Sequence, residues 1–203
     1  RSGLSIGIVI ALVLATSAGL QTAVQGGTAA PEGLGTFSQF FNDFVINENG
    51  DLLFRARTYD AATASFQVAL FLRKADGTLS VISKPGDPIP GSTNGATVRF
   101  PFSPDLADDG TIIFGVSATD NSNPVIRVQN GVTEVILQIG DQIDIGNGLT
   151  ADVTSVTGDR DFARSADDFL LNVQSRGGSV FDANSLSSIQ TTQSFVLRTT
   201  IMP

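Results

Sequence analysis

Short alternating apolar runs separated by Asx-Gly pairs leave this chain few folds to choose from. Leu52, Phe54 and Ala56 alternate with Leu53, Arg55 and Arg57, and Phe66, Val68, Leu70 and Leu72 form a second run. Ile112, Phe114 and Val116 repeat the pattern, as do Val135, Leu137 and Ile139, then Phe169, Leu171 and Val173. Successive side chains of a strand point to opposite faces, so this period of two spells half-buried strands. Between the runs lie Asn49-Gly50, Asp76-Gly77, Asn94-Gly95, Asp109-Gly110, Asn130-Gly131 and Asn147-Gly148. Asn, Asp and Gly tolerate positive φ best, so these pairs predict type I′ hairpin turns. From about Thr36 onward the chain is expected to be antiparallel β throughout.

One stretch reads differently. Phe37, Phe40, Phe41 and Phe44 fall at i, i+3, i+4 and i+7, the stripe of a helix. The related stretch Arg99-Phe100-Pro101-Phe102-Ser103-Pro104 carries two prolines that forbid a regular helix. If the two are equivalent, the first is extended or a single turn.

The equivalence comes from an internal repeat. Asn47-Glu48-Asn49-Gly50-Asp51-Leu52-Leu53-Phe54 recurs 60 residues later as Ala107-Asp108-Asp109-Gly110-Thr111-Ile112-Ile113-Phe114. Asp76-Gly77 recurs as Asn130-Gly131, and Gly86-Asp87 as Gly140-Asp141, both after 54 residues. A worn third unit starts its landmark at Ser165-Ala166-Asp167-Asp168-Phe169 and ends at Ser194-Phe195-Val196-Leu197-Arg198. The expected layout is an apolar segment and linker over 1–31, then a β body over 32–203. Its units cover about 36–91, 92–147 and 148–203, each a meander of about four strands. Units that cannot bury their own faces stack on their neighbours. The expected architecture is thus all-β, with antiparallel meander repeats packed as a sandwich, a barrel or a propeller-like stack.

These residues resemble a family. Asn47, Gly50 and Phe54 spell Asn-x-x-Gly-x-x-x-Phe, and Gly86 to Gly91 spell Gly-Asp-x-x-Pro-Gly. The pair is similar to the tandem β-repeats of secreted bacterial surface proteins, a group of undefined function. The second unit keeps Gly110, Phe114 and Gly140-Asp141 and loses the first Asn and the Pro-Gly. The resemblance implies an exported, non-enzymatic surface protein with no catalytic residues.

Composition narrows the chemistry. Histidine, cysteine and tryptophan are absent and tyrosine occurs once, against 14 phenylalanines. Ser-His-Asp and Cys-His nucleophilic sites and Cys/His zinc sites are therefore excluded. A net charge of -8, with basic residues scattered singly apart from Arg73-Lys74, argues against nucleic acid as a partner. Phe at alternating strand positions is read as core rather than as a sugar platform, which favours Trp and Tyr.

The first 31 residues contain one charge, Arg1. Leu4 to Leu14 is an apolar run, followed by the small residues Ala15 to Ala18 and a Gly26 to Pro31 linker. A basic start, a short apolar core and a small-residue exit describe a secretory signal peptide. If retained, Ile6, Ile8, Val9, Ile10, Leu12, Val13 and Leu14 are the candidate assembly residues, as a donated strand or a packed helix. Membrane contact is expected only in that retained form.

Two constellations remain. Asp108-Asp109 and Asp167-Asp168 recur at matching positions and could serve glycoside hydrolysis. Adjacent strand side chains point apart, so solvated turn acids are the preferred reading. Asp105, Asp108 and Asp109 are weak calcium candidates, as hard oxygen ligands without the full twelve-residue loop pattern. No other cofactor is expected. The expected function is a non-catalytic extracellular or cell-surface structural protein that self-associates into a polymer or filament. The alternatives are an exported glycan- or calcium-binding module and, less favoured, a carboxylate glycoside hydrolase.

Overall fold

The structure, a computed structural model, describes residues 22–146, 149–157, 168–177 and 190–198. It is all-β and antiparallel, in three four-stranded sheets. Sheet 1 runs β1 (Thr36–Ile46), β2 (Leu52–Asp60), β3 (Ser65–Arg73) and β4 (Leu79–Ser83) in chain order. Sheet 2 repeats this with β5 (Val98–Leu106), β6 (Ile112–Ala118), β7 (Val125–Gln129) and β8 (Val132–Leu137). Sheet 3 holds β9 (Gln142–Gly146), β10 (Leu149–Thr157), β11 (Asp168–Gly177) and β12 (Gln190–Arg198), in the order β12-β11-β10-β9. Each sheet ends in open edge strands, so the described residues form no closed barrel. Among them the only helical element is a 3-10 turn at Pro31–Gly33, and no helix is long and apolar enough to cross a membrane.

The sheets stack face to face. Leu53, Leu70 and Leu72 of sheet 1 share one core with Val98, Leu106, Ile112, Phe114, Val116 and Ile126 of sheet 2. The opposite face of sheet 2 gives Ile113, Val125 and Leu137 to a second core, where Val153 of sheet 3 joins them. The other face of sheet 1 carries Leu52, Phe54, Ala56, Ala69 and Phe71, packed with Phe37, Ala30 and Leu34. Central strands are thus buried on both faces rather than half-buried as their alternation predicts. Leu52-Leu53-Phe54, Ala69 to Leu72 and Ile112 to Val116 are buried without a break. The continuous apolar runs were the better guide to a strand with a neighbour on each side.

The phenylalanine stripe is a strand, and its helical spacing has a cause. Phe37, Phe40 and Phe44 pair with Thr58, Ala56 and Phe54, alternate residues of β2. Extra residues bulge out of β1 between Phe37 and Gln39 and between Phe40 and Phe44. Bulges therefore restore one face to residues three and four apart, which a helix would also do. β5 carries the corresponding shifts, between Val98 and Phe100 and between Phe102 and Asp105. A further bulge separates Val135 from Leu137, so these two residues face different cores despite their period of two. Phe66 also departs from the expected core: it is 60% exposed at the end of the β2–β3 hairpin, 4.9 Å from the Tyr59 ring.

The two bulged strands solve one packing problem differently. Phe41 lies 4.4 Å from the Arg55 guanidinium, and Arg55 in turn reaches Asp43 at 2.8 Å and the Pro101 carbonyl at 3.3 Å. At the matching place in sheet 2 the partner of Phe102 is Gly115, and the ring fills the space a side chain would take. A Cβ on Gly115 would stand 2.3 Å from the Phe102 ring. Gly115→Ala is expected to cost about 1–3 kcal/mol through overpacking. Urea denaturation checks this, with Phe102→Ala in the same chain expected to recover part of the loss.

The hairpin tips correct the turn chemistry. Among the described Asx-Gly pairs, only Asn130-Gly131 has positive φ at both residues, as a type I′ turn needs. At Gly50, Gly77 and Gly110 the glycine alone is left-handed, and each loop closes by paired backbone bonds such as Lys74 N–H to Thr78 O at 2.8 Å and Gly77 N–H to Lys74 O at 2.9 Å. That is a type I turn with a glycine bulge, in which the Asx residue keeps a right-handed φ. Asn147-Gly148 lies outside the described residues.

The linker is folded too. Gly27 N–H donates to Phe37 O and Phe37 N–H to Thr28 O, at 2.8 and 3.0 Å. Gly86 and Asp87 make the same pair of bonds to Val98, and Gly140 and Asp141 to Val153. Each Gly-Asp corner is therefore clipped to the first long strand of the sheet that follows it. Residues 25–30 form the first of three such corners, and Ala30 and Leu34 are buried. Sheet 3 likewise begins at Gln142, inside the span expected for the second unit. Of the third unit's landmarks, Asp168-Phe169 falls on β11 and Ser194 to Arg198 on β12, while Ser165 to Asp167 lie outside the described residues.

Candidate functional site

Two places bring polar side chains from separate units together. The first is the joint between the β1–β2 and β5–β6 hairpin tips. Asn47, buried, accepts from Asp51 N–H at 2.9 Å through its Oδ1 and donates to the Ala107 carbonyl at 3.3 Å. Glu48 N–H donates to Asp108 Oδ1 at 2.9 Å, and the Asn49 amide donates to Asp108 O at 2.6 Å. Repeat-equivalent residues thus meet each other. Asn47 acts as a clamp and Ala107 contributes only its carbonyl, which accounts for the missing Asn of the second unit. Asn47→Ala would leave the buried Asp51 N–H without its acceptor and take one of two donors from the Ala107 carbonyl, which keeps Gly110 N–H at 3.0 Å, an expected loss of about 1–3 kcal/mol. Thermal unfolding measures it, and Asn49→Ala at the exposed tip should cost less.

The acids singled out as calcium or catalytic candidates are distributed through this joint. Asp108 holds Glu48. Asp109 accepts from Thr111 N–H at 2.8 Å and from its hydroxyl at 3.0 Å, closing its own turn. Asp105 accepts from Leu106 N–H at 2.8 Å on β5. Among the described residues no three acids come together in a way that could hold a metal ion. Asp168 opens β11, while Asp167 and the assembly residues Ile6, Ile8, Val9, Ile10, Leu12, Val13 and Leu14 lie outside the described residues.

The second place is a cleft of about 630 Å³ that the sequence reading missed. Its walls are the connector tip at residues 89–94, the β6–β7 loop, β8, and the corner ending at Asp141. No single run of sequence contains it. The connector is held by Asp120, whose Oδ2 accepts from the Asn94 amide at 3.0 Å and whose Oδ1 accepts from Ser122 N–H and hydroxyl at 3.0 and 2.7 Å. Asn94 chiefly, then Ser122, holds the Asp120 carboxyl down to about 2. Glu134 on β8 pairs with Arg127 at 2.6 Å, and Asp141 accepts from Gln138 N–H at 2.8 Å. Each of these carboxylates already has a structural partner.

Asp120 has a testable pH signature. Its folded pKa lies below the ordinary value, so its stabilisation is complete above about 4 and is lost as pH falls through about 2. The melting temperature of the native chain should drop over that interval. Asp120→Asn should remove part of the drop, read as the difference between the two melting curves.

No curated protein and no solved structure matches the chain. A family model does, over residues 2–128, a stretch that includes all of sheet 1 and the β5–β6 strands that meet it. With its stacked sheets and Asn47 clamp inside that match, the chain belongs to this family of unknown function, DUF7453.

Proposed function

We propose that the chain is a non-catalytic extracellular structural protein of the bacterial surface, which associates with copies of itself. The observation that carries this reading is where its polar side chains are spent. Asn47, Asp51, Asp108, Asp109, Asp120 and Asp141 hold tips, joints and corners of the stack. Chemistry on a substrate asks for groups poised toward a reacting atom; these are bonded to the protein's own backbone and, at Asp120, to the Asn94 and Ser122 side chains as well.

Association has a physical route. β4, Leu79-Ser80-Val81-Ile82-Ser83, is an edge strand without charge, and lysine, the usual guard of such edges, occurs twice in the chain. The apolar run from Leu4 to Leu14 is the second route where it is retained. The repeat resemblance supports export to the surface. Sedimentation and negative-stain microscopy of the exported chain test the reading, beside mass spectrometry of its native N-terminus. Filaments or oligomers that dissolve on Val81→Lys support edge pairing. A monomer at every concentration, or turnover in a glycoside screen, would overturn the proposal.

A further inference from the structure

Independently of whether copies associate, we infer that the cleft beside β8 is a binding site for a neutral polysaccharide segment. Its volume of about 630 Å³ falls within the range of roughly 300–1,000 Å³ typical of small-ligand sites. It opens to solvent, so a chain longer than the cleft can run through it.

The lining decides the ligand class. Thr93 and Thr133 offer hydroxyls and Gln138 offers an amide, while the Ser92, Asn94 and Ser122 side chains are already bonded to one another or to Asp120 and shape the wall. A sugar ring is dense in groups that both donate and accept, and hydroxyls and amides answer in both senses. Pro90, with the half-buried Val135 and Ile136 of β8, supplies apolar surface for the C–H face of a ring. Asp120, Glu134 and Asp141 give the cleft a negative sign, while the nearby Arg127 is bound to Glu134. Phosphate, sulfate and uronate chains are repelled by that sign. A bare metal ion is disfavoured as well, since no three acids among the described residues gather closely enough to hold one.

The walls are also pre-set. Asn94 Oδ1 accepts from Ala96 N–H at 3.0 Å and from the Ser92 hydroxyl at 2.7 Å, while its amide is tied to Asp120. A loop fixed on both sides loses little freedom when a ligand enters, which is what makes a polar site bind rather than merely accommodate.

The test uses the folded full chain in affinity electrophoresis through gels containing β-glucan, xylan, mannan or starch, with pectin and dextran sulfate as anionic counterparts. Retardation by at least one neutral polymer is expected, and calorimetry with its hexasaccharide gives the affinity. Thr93→Arg and Thr133→Arg would fill the cleft from two walls without touching the hairpin joint, and each should weaken binding at least tenfold. Phe66→Ala, at the exposed aromatic pair with Tyr59, should leave binding unchanged. No retardation by any neutral polymer, equal retardation by the anionic ones, or binding lost with Phe66 but kept in both cleft variants would overturn the assignment.

Discussion

Phe114→Ala is expected to cost roughly 3–5 kcal/mol, a large share of the about 5–15 kcal/mol that holds a domain folded. The ring is 1% exposed and sits where sheet 2 meets Leu53, Leu70 and Leu72 of sheet 1. Both walls are hydrogen-bonded ladders, which cannot close on a cavity as a loose helix might. Phe54 occupies the equivalent position in sheet 1, 4% exposed, with Phe71 stacked at 5.5 Å. Its replacement removes one ring of an aromatic cluster on the outer face, so the loss should be the smaller of the two. Phe66→Ala, at a 60% exposed site, should stay within about 1 kcal/mol. Urea denaturation ranks the three. A Phe114→Ala loss no larger than that of Phe66→Ala would mean the sheets do not stack.

Gly35→Ala should be nearly as damaging, for a reason confined to the backbone. Gly35 has a φ of +84°, and a Cβ there would stand 2.1 Å from the Tyr59 carbonyl oxygen and 2.8 Å from Asp60 Cα. Neither neighbour is a side chain that can swing aside. Left-handed strain alone costs about 1–2 kcal/mol, and lifting residues 22–35 off sheet 1 adds the exposure of Ala30 and Leu34. The total is expected to exceed about 2 kcal/mol. Gly33→Ala is the matched control: its φ is +71° and nothing lies within 4 Å of its Cβ position. The difference between the two variants in thermal unfolding isolates the clash. Faster hydrogen exchange at Ala30 N–H, which donates to Gly35 O at 2.8 Å, would report the arm lifting away. Equal losses in the two variants would show that the arm is not seated as described.

What could be read in advance was local. Strand period, turn residues and the recurrence of Asx-Gly and Gly-Asp all reflect preferences of a few neighbouring residues, and they were legible as an antiparallel repeat. The helical spacing of Phe37, Phe40 and Phe44 competed with the extended reading that the repeat favoured, because a bulge and a helix turn both place such residues on one face. The type I′ reading failed at Gly50, Gly77 and Gly110 because one extra loop residue changes which positions need a positive φ. Gly26 to Pro31 read as a linker because small residues carry no period. Its corner is defined by bonds to Phe37, about ten residues away in the chain.

The candidate sites divide in the same way. Asp108 and Asp109 stood out in the sequence as a pair, yet one reaches across to Glu48 and the other back to Thr111. The cleft joins Asn94 to Asp120 and both to β8, and no motif links such separated positions. By itself the sequence determined strands, hairpins, a repeated unit and the absence of histidine and cysteine chemistry, since these follow from short-range sterics and composition. Which face of each sheet is covered, where the units are clamped and where a cleft opens were decided only by tertiary structure. Those outcomes depend on contacts between residues far apart in the chain, whose bulges shift each face by one residue at a time.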